Sequence, residues 1–450
     1  MRRPNQPEQL ALSRPPIEHP HAAELEKISG ILSANPRMAR LVAQDLVRGV
    51  SHPHTGAAGL SGDQVLRLLL VKQMNGFSYE ELAFHLADSV TYRSFCGFGA
   101  LEPTPRRSAM AENIKKVRPE TLEKIHRRLV RYAVQLGVEK GRRVRIDATV
   151  TETNVHAPSD STLLCDGVRV LTRRLGEAQA LCGFERWSDH TKRAKRRMLE
   201  IQNTGDADQR RNAYRDLLQV THTAMAYTSA ALNRLRAVGG RRRAQAIALA
   251  DEIDAVLPWI WAVIDQTERR VLREESVPAE EKMVSIFEPH TDIIVKDRKQ
   301  TLYGHKLFLS AGESGLITDC LIAQGNPADA TMAVPMLRRQ KRILGRVPEQ
   351  AAFDGGFASK DNLAAGKALG IRDLAFSKKR GLAISEMTRS TWVYRCLRNF
   401  RAGIEGLISF LKRALGLDRC TWKGAESFAS YVMASVIAGN LLTLARHLMA

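Results

Sequence analysis

The feature that most restricts the fold of this chain is a lone alternating run in front of a long helical stretch. In "RRVRIDATV", residues 142–150, Val144, Ile146, Ala148 and Val150 fall on one face and Asp147 on the other, the period of a strand. Helical periodicity then runs from about residue 160 to 280, through "KRAKRRMLEIQN" and "AQAIALADEIDAVLPWIWAVIDQTERRVL". A single strand leaves its backbone groups unpaired. Its partners must lie beyond the helical block.

The later sequence supplies them. "TLYGHKLFLSAGESGLITDCLIAQGN", from Thr301, reads as a hairpin with "SAGESG" as its turn. "DATMAVPMLRRQKRIL" is helical, "EQAAFDGG" is a short buried strand ending in Asp354, and "GIRDLAFSKK" is another strand. Two helices finish the chain. Without the helical block the order is β-β-β-α-β-α-β-α, a mixed α/β sheet.

Ahead of the first strand the pattern is helical. Residues 1–60 hold seven of the 17 prolines and little periodicity, so they read as a loosely ordered arm. "SGDQVLRLLLVKQMNG" from Ser61 is a helix, and "SYEELAFHLADS" follows with Ser78 and Glu81 as a capping box. Two helices across an Asn-Gly-Phe turn suggest a helix-turn-helix, although most helical hairpins bind no DNA. A further helical pair spans Ser108 to about Leu136.

Charge narrows the function. The 450 residues carry a formal net charge of +20, the footprint of a nucleic-acid binder. Residues 186–243 hold 14 Lys or Arg against five Asp or Glu, which favours a phosphate-facing surface over a merely solvated one. No signal-peptide core opens the chain. "YVMASVIAGNLLTLA", with Ser435 and Asn440, reads as a buried helix, too short and polar to cross a membrane. The six cysteines form no Cys-x-x-Cys pair, which fits a reducing cytoplasm. The glycines make no nucleotide-binding loop, so no nucleotide cofactor is expected.

One glutamate stands out. Glu405 is the only carboxylate between Glu386 and Asp418, among Arg389, Arg395, Arg398, Arg401, Lys412 and Arg413. On a helical wheel Phe400, Ile404, Leu407, Ile408, Leu411 and Leu415 make one face. Arg398, Arg401, Glu405 and Lys412 form a stripe along its border. Glu405 is either one half of an i,i+4 pair with Arg401, worth a few tenths of a kcal/mol, or a carboxylate held for a metal beside a polyanion. Asp147 and Asp354 could complete such a set if their strands are neighbours in the sheet. Three convergent carboxylates suit hard divalent cations such as Mg²⁺ or Mn²⁺. Two such ions can activate a water or a 3′-OH against a phosphodiester.

These residues resemble the DDE transposases of the bacterial IS4/IS5 insertion-sequence superfamily, in particular the IS5-like members. Arg401, Glu405 and Lys412 match the last three places of the signature Y-x2-R-x3-E-x6-K, and Arg398 stands in the tyrosine place. "DATVTETNVHAPSDSTLLCDGVRVLTR" is similar to the first-aspartate block and "FDGGF" to the second. "SYEELAFHLADSVTYRSFCGF" is similar to the N-terminal helical domain. The resemblance implies an RNase H-like mixed-sheet catalytic core, residues 138–160 and 281–450. A basic helical insertion, 161–280, interrupts it, and an all-helical DNA-binding domain, 61–137, precedes it. Asp147, Asp354 and Glu405 would be catalytic and metal-binding, with two Mg²⁺ or substituting Mn²⁺. Arg401, Lys412 and Arg398 would contact DNA. The implied partners are double-stranded DNA, as terminal inverted repeats and target, and a second copy of the chain, in the nucleoid of a bacterial cytoplasm. The implied activity is cleavage and strand transfer. A structure-specific nuclease on the same core, or a DNA binder with a decayed site, is the alternative, and the intact carboxylates oppose decay.

Other residues carry open readings. Asn154 and His156 either support the site or contact DNA, or simply shape the loop before Pro158. Glu152 and Asp160 are rival carboxylates, more often solvated than ligating. His305 and Lys306 read as sheet-surface residues, and Trp259 and Trp261 as core anchors of the insertion.

Affinity for DNA is expected to fall steeply with salt, each neutralised phosphate adding about −0.9 to the slope of log K against log salt. Titrations across a salt series measure it. A nearly flat dependence would exclude a DNA role for the basic block.

Overall fold

The computed structural model describes residues 18–52, 55, 59–99, 102–296 and 300–450. The first part of the expected arm therefore lies outside the described residues. The chain begins with α1 (Pro20–Ser33), α2 (Arg37–Leu46), α3 (Gly62–Asn75), α4 (Tyr79–Asp88), α5 (Val90–Phe95), α6 (Arg107–Lys115) and α7 (Pro119–Gln135). Next come β1 (Arg143–Glu152), α8 (Asp160–Cys182), α9 (Thr191–Asn203), α10 (Ala207–Arg236) and α11 (Arg243–Thr267). Then follow β2 (Asp292–Lys296), β3 (Gln300–Ala311), β4 (Ile317–Ile322), α12 (Asp329–Leu344), β5 (Gln350–Phe353), α13 (Lys360–Ala368) and β6 (Asp373–Phe376). The chain ends with α14 (Ile384–Met387), α15 (Thr391–Leu415) and α16 (Ala425–Met449).

Two compact units result, residues up to Glu152 with His305–Ala450, and Thr153–Gly304. The second unit is larger than the expected insertion, because it takes in the loop from Thr153 and the β2–β3 ladder. In β2 and β3, Asp292 pairs with Gly304 and Lys296 with Gln300. The Thr153 N–H also donates to the Tyr303 carbonyl at 2.9 Å.

In the first unit the sheet is mixed. β1 lies between β3 and β5, β6 follows β5, and β4 pairs antiparallel with β3. β1 and β5 run parallel from Arg143↔Gln350 to Ile146↔Phe353, and β5 and β6 parallel from Gln350↔Asp373 to Phe353↔Phe376. This is the mixed α/β sheet that the element order implied, and it agrees with the RNase H-like core that the resemblance implied. β2 has no counterpart in the sequence reading, since "DIIVK" is too short to show a period.

The expected loose arm is a correction. α1 and α2 bury Leu25, Ile28, Ile31, Leu32, Met38, Val42 and Leu46 in one core with α3, α7 and α16. Its two described prolines start helices rather than break them: Pro20 opens α1 and Pro36 caps α2. The same core continues into β3, β4 and α15, so the N-terminal helices are not a separate domain. The helix pair across the Asn-Gly turn is present as α3 and α4, with Gly76 at φ +67° and capping boxes at Ser61 and Ser78.

α16 is long and apolar enough to cross a membrane, longer than the sequence reading allowed, yet it is buried as expected. Its polar groups are satisfied inside. Asn440 donates to the Ile317 carbonyl and accepts from the Ile317 N–H, both at 2.8 Å, and Ser435 donates to the Leu415 carbonyl at 3.1 Å.

The second unit packs α8, α9, α10 and α11 around Leu164, Val168, Leu171, Leu217, Ile260 and Val263. Trp259 and Trp261 are not core anchors. They are 38% and 52% exposed, because the buried stripe of α11 runs through Leu249, Ile253, Ile260, Val263 and Ile264 instead.

A Cβ at Gly62 would meet the Ala39 carbonyl oxygen at 2.2 Å and the Ala43 nitrogen at 2.8 Å. Both are backbone atoms of α2, which cannot swing aside. Gly62→Ala is therefore expected to cost about 1–3 kcal/mol, as overpacking does, and to lower the thermal midpoint. A variant melting with the wild type would show that α2 does not lie against α3.

Candidate active site

Three parallel strands set out the site. The last register pairs are Ile146↔Phe353 and Phe353↔Phe376, so Asp147, Asp354 and Ser377 are the next residues of β1 and of the chain after β5 and β6. Side chains at the carboxyl ends of parallel strands face the crevice where sites form. The Ser377 hydroxyl donates to Asp354 Oδ1 at 2.8 Å. Ser377 was missed in the sequence, where nothing distinguishes it from any serine that ends a strand.

Asp354 leads into a 3-10 turn, Gly355–Phe357. Its glycines are needed for room, not for a left-handed backbone. A Cβ at Gly355 would lie 2.6 Å from Lys378 Cβ, and one at Gly356 2.6 Å from Asp329 Oδ2.

α15 lies against β1, β5 and β6 and brings in Arg401 and Glu405. Arg401 Nη2 donates to Asp147 Oδ2 at 2.7 Å and lies 3.3 Å from Asp354 Oδ1. Arg401 Nη1 donates to Glu405 Oε1 at 2.6 Å. One guanidinium thus touches all three expected carboxylates, while its buried Nε has no partner among the described residues. The i,i+4 pair exists, but it is one arm of a larger contact.

A second arginine sets the spacing. Arg145, two residues before Asp147, donates from Nη1 to the Phe400 carbonyl at 3.0 Å and lies over the Phe400 ring at 4.8 Å. A Cβ at Gly403 would come 2.1 Å from that nitrogen. Both residues escaped the sequence reading, because a strand arginine reads as solvated and a helix glycine as a weak point.

Two family models match the chain, a Transposase domain (DUF772) over residues 19–116 and a Transposase DDE domain over 289–441. The chain belongs to the DDE transposases. No curated protein and no solved structure matches it. A transposase acts on DNA. The DDE match contains Asp354, Arg401, Glu405 and Lys412 but not Asp147, which the β1–β5 pairing sets beside Asp354 and which Arg401 contacts directly.

The electrostatics of this transposase separate its two aspartates. Burial pushes the Asp147 carboxyl above its ordinary value, and the Asp354 charge adds to this. Arg401 and the Ala148 N–H oppose without cancelling it. Burial acts on Asp354 too, but there the Ser377 hydroxyl, the Gly355 and Gly356 N–H groups and Arg401 outweigh it, so its value is lowered. On acidification Asp147 takes up its proton first. The ionised form of Asp147 costs stability above its raised value, whereas that of Asp354 adds stability that is lost as pH falls through its lowered one. Burial disfavours the Arg401 charge, yet Asp147, Asp354 and Glu405 hold its value above the ordinary one.

The donor set fits a hard divalent cation: oxygen ligands only, two of them already at one cationic nitrogen. Among the described residues no three His, Cys, Asp or Glu side chains are gathered tightly enough to hold an ion. Arg401 lies between the three carboxylates.

The remaining candidates are placed as follows. Lys412 pairs with Asp418 at 3.1 Å and makes no contact with the three acids. Arg398 is exposed, with its guanidinium 6.0 Å from the Tyr394 ring centre. Tyr394 is buried and donates to the Phe376 carbonyl. Glu152 is drawn away by Arg419, in a stretch where the Cys420 N–H donates to the Glu152 carbonyl. Asp160 is buried against Arg270 and Gln266 of the second unit. Neither rival carboxylate joins the three. Asn154 and His156 are exposed in the second unit. His305 and Lys306 are not free surface residues: His305 stacks edgewise on Phe428, and Lys306 pairs with Asp329 at 2.6 Å.

Arg401→Gln removes the cation that balances three carboxylates. It is expected to cost about 2 kcal/mol without metal, less than a fully buried pair would lose, because Asp354 and Glu405 are 39% and 63% exposed. Mn²⁺ should then raise the melting temperature of the variant more than that of the wild type. Equal shifts would mean that Arg401 and the metal do not share the site.

Proposed function

We propose that this transposase, of the IS5-like kind, binds the ends of its insertion sequence as a homodimer, cuts the phosphodiester and joins the freed 3′-OH to target DNA. The observation that carries the proposal is the register of β1 and β5, which sets Asp147 beside Asp354, with Arg401 reaching both and Glu405.

Asp147, Asp354 and Glu405 would hold two Mg²⁺ or Mn²⁺ ions. When bound, such ions activate the attacking oxygen and stabilise the leaving one. The protein's own part is to fix the two aspartates. β1 holds Asp147 in the sheet, with the Ala148 N–H on Oδ1, and Ser377 orients Asp354. With its carboxylates engaged elsewhere, Arg401 would be free to place its planar fork on a DNA phosphate. Lys412 and Arg398 would add charge along the same helix, as positioning contacts.

Asp147→Ala, Asp354→Ala and Glu405→Ala are each expected to retain binding to terminal-repeat DNA and to lose cleavage with Mg²⁺. Gel-shift and cleavage assays on the same preparations decide the matter, and near wild-type cutting by any one variant would remove that residue from the set. Lys412→Ala should weaken end binding while leaving the Mn²⁺-induced rise in melting temperature unchanged. Terminal inverted repeats around the gene separate a transposase from a nuclease that cuts without joining.

A further inference from the structure

The second unit holds an open groove of about 700 Å³ between α8 and α9. Arg169 and Arg173, four residues apart, line it from α8, and Lys192 and Lys195, three apart, line it from α9. Asp166 is the one carboxylate in the wall among the described residues, and it is paired with Arg169 at 2.8 Å. Arg173 lies 4.0 Å from Glu177. Lys192 and Lys195 are exposed and form no ion pair among the described residues.

The other face of α9 behaves differently. Arg193 and Arg197 are both tied to Asp216. Of the five cations of α9, Arg193 and Arg197 are thus neutralised within the protein, Lys192 and Lys195 are left toward the groove, and Arg196 is exposed outside it.

The groove is also partly apolar. Val170 and Met198 line it, and Phe287 lies at its edge with half of its surface exposed. The backbone of Phe287 is held by the Ser285 hydroxyl at 3.2 Å, so the ring is presented from a fixed turn. Cations beside an exposed aromatic ring are what an unpaired nucleotide requires, with phosphate on the charges and base on the ring. Grooves of roughly 300–1,000 Å³ take ligands of about nucleotide size.

We propose that this groove binds an unpaired nucleotide of the DNA on which the transposase acts. The proposal rests on the DNA-cutting reading given above and adds a second site to it, made of Lys192, Lys195, Arg169, Arg173 and Phe287. His156 also lines the groove, which gives the "TETNVHAP" stretch a role apart from the carboxylates.

The full chain is titrated with a fluorescent oligothymidylate, with the duplex of a terminal repeat, and with thymidine monophosphate as competitor. Lys192→Ala/Lys195→Ala is expected to reduce the salt slope for the single strand by about 1.4, at about 0.7 per phosphate. Phe287→Ala should weaken single-strand binding about tenfold, and Phe287→Trp should retain it. Circular dichroism melts confirm folding, which these exposed positions should leave intact. The groove assignment is overturned if both variants bind the oligothymidylate like the wild type. It is also overturned if the free nucleotide, or an oligoglutamate, competes as well as the strand. Failure of the wild type to bind the duplex repeat would instead count against the DNA-cutting reading, so the two failures are distinct.

Discussion

Everything at the site follows from the parallel pairing of β1 with β5. Four register pairs, Arg143↔Gln350 to Ile146↔Phe353, join segments about two hundred residues apart and bring their next residues, both aspartates, side by side. Parallel pairs form only through long crossovers and are slow to assemble. What holds this one is the apolar layer of Val144, Ile146, Ala351 and Phe353, which is fully buried. The acidic residues stand one step past the end of that layer. A shift of one position would turn Asp147 into the core and Ile146 toward α15.

Charge balance then explains the arginine. Two partly buried carboxylates and a third at the rim repel one another, and a lone cation among them offsets that repulsion. Arg401 fills this place because α15 is held to β1 by Arg145, whose guanidinium occupies the space that Gly403 leaves without a side chain. The helix is thus positioned by one arginine so that another can reach the acids. The strands align two of the three carboxylates that Arg401 meets, and α15 itself brings the third.

Much of this was legible in the residues. The alternation around Asp147, the short apolar run before Asp354 and the stripe through Arg401, Glu405 and Lys412 each report a local period, and local periods survive folding. Contacts between distant segments leave no such trace. A helical wheel shows Glu405 four residues from Arg401, but not Asp147, which lies 254 residues away. Arg145 looks like a solvated strand residue and is 9% exposed. Prolines mislead in the opposite direction: Pro20 and Pro36 mark helix starts, where a missing N–H costs nothing. The tryptophans of α11 mislead because size alone does not decide which face of a helix is buried.

The hydrogen bond from Thr153 to Tyr303 has a wider consequence. The chain enters and leaves its second unit at residues in direct contact, so the ends of that excursion are closed whatever its length. Loop-closure entropy grows only slowly with the number of residues enclosed. For the sheet, the roughly 150 residues enclosed at this point are nearly equivalent to a tight turn. Such a port lets the scaffold exchange one inserted unit for another of different size and origin, without altering the register that aligns its acids.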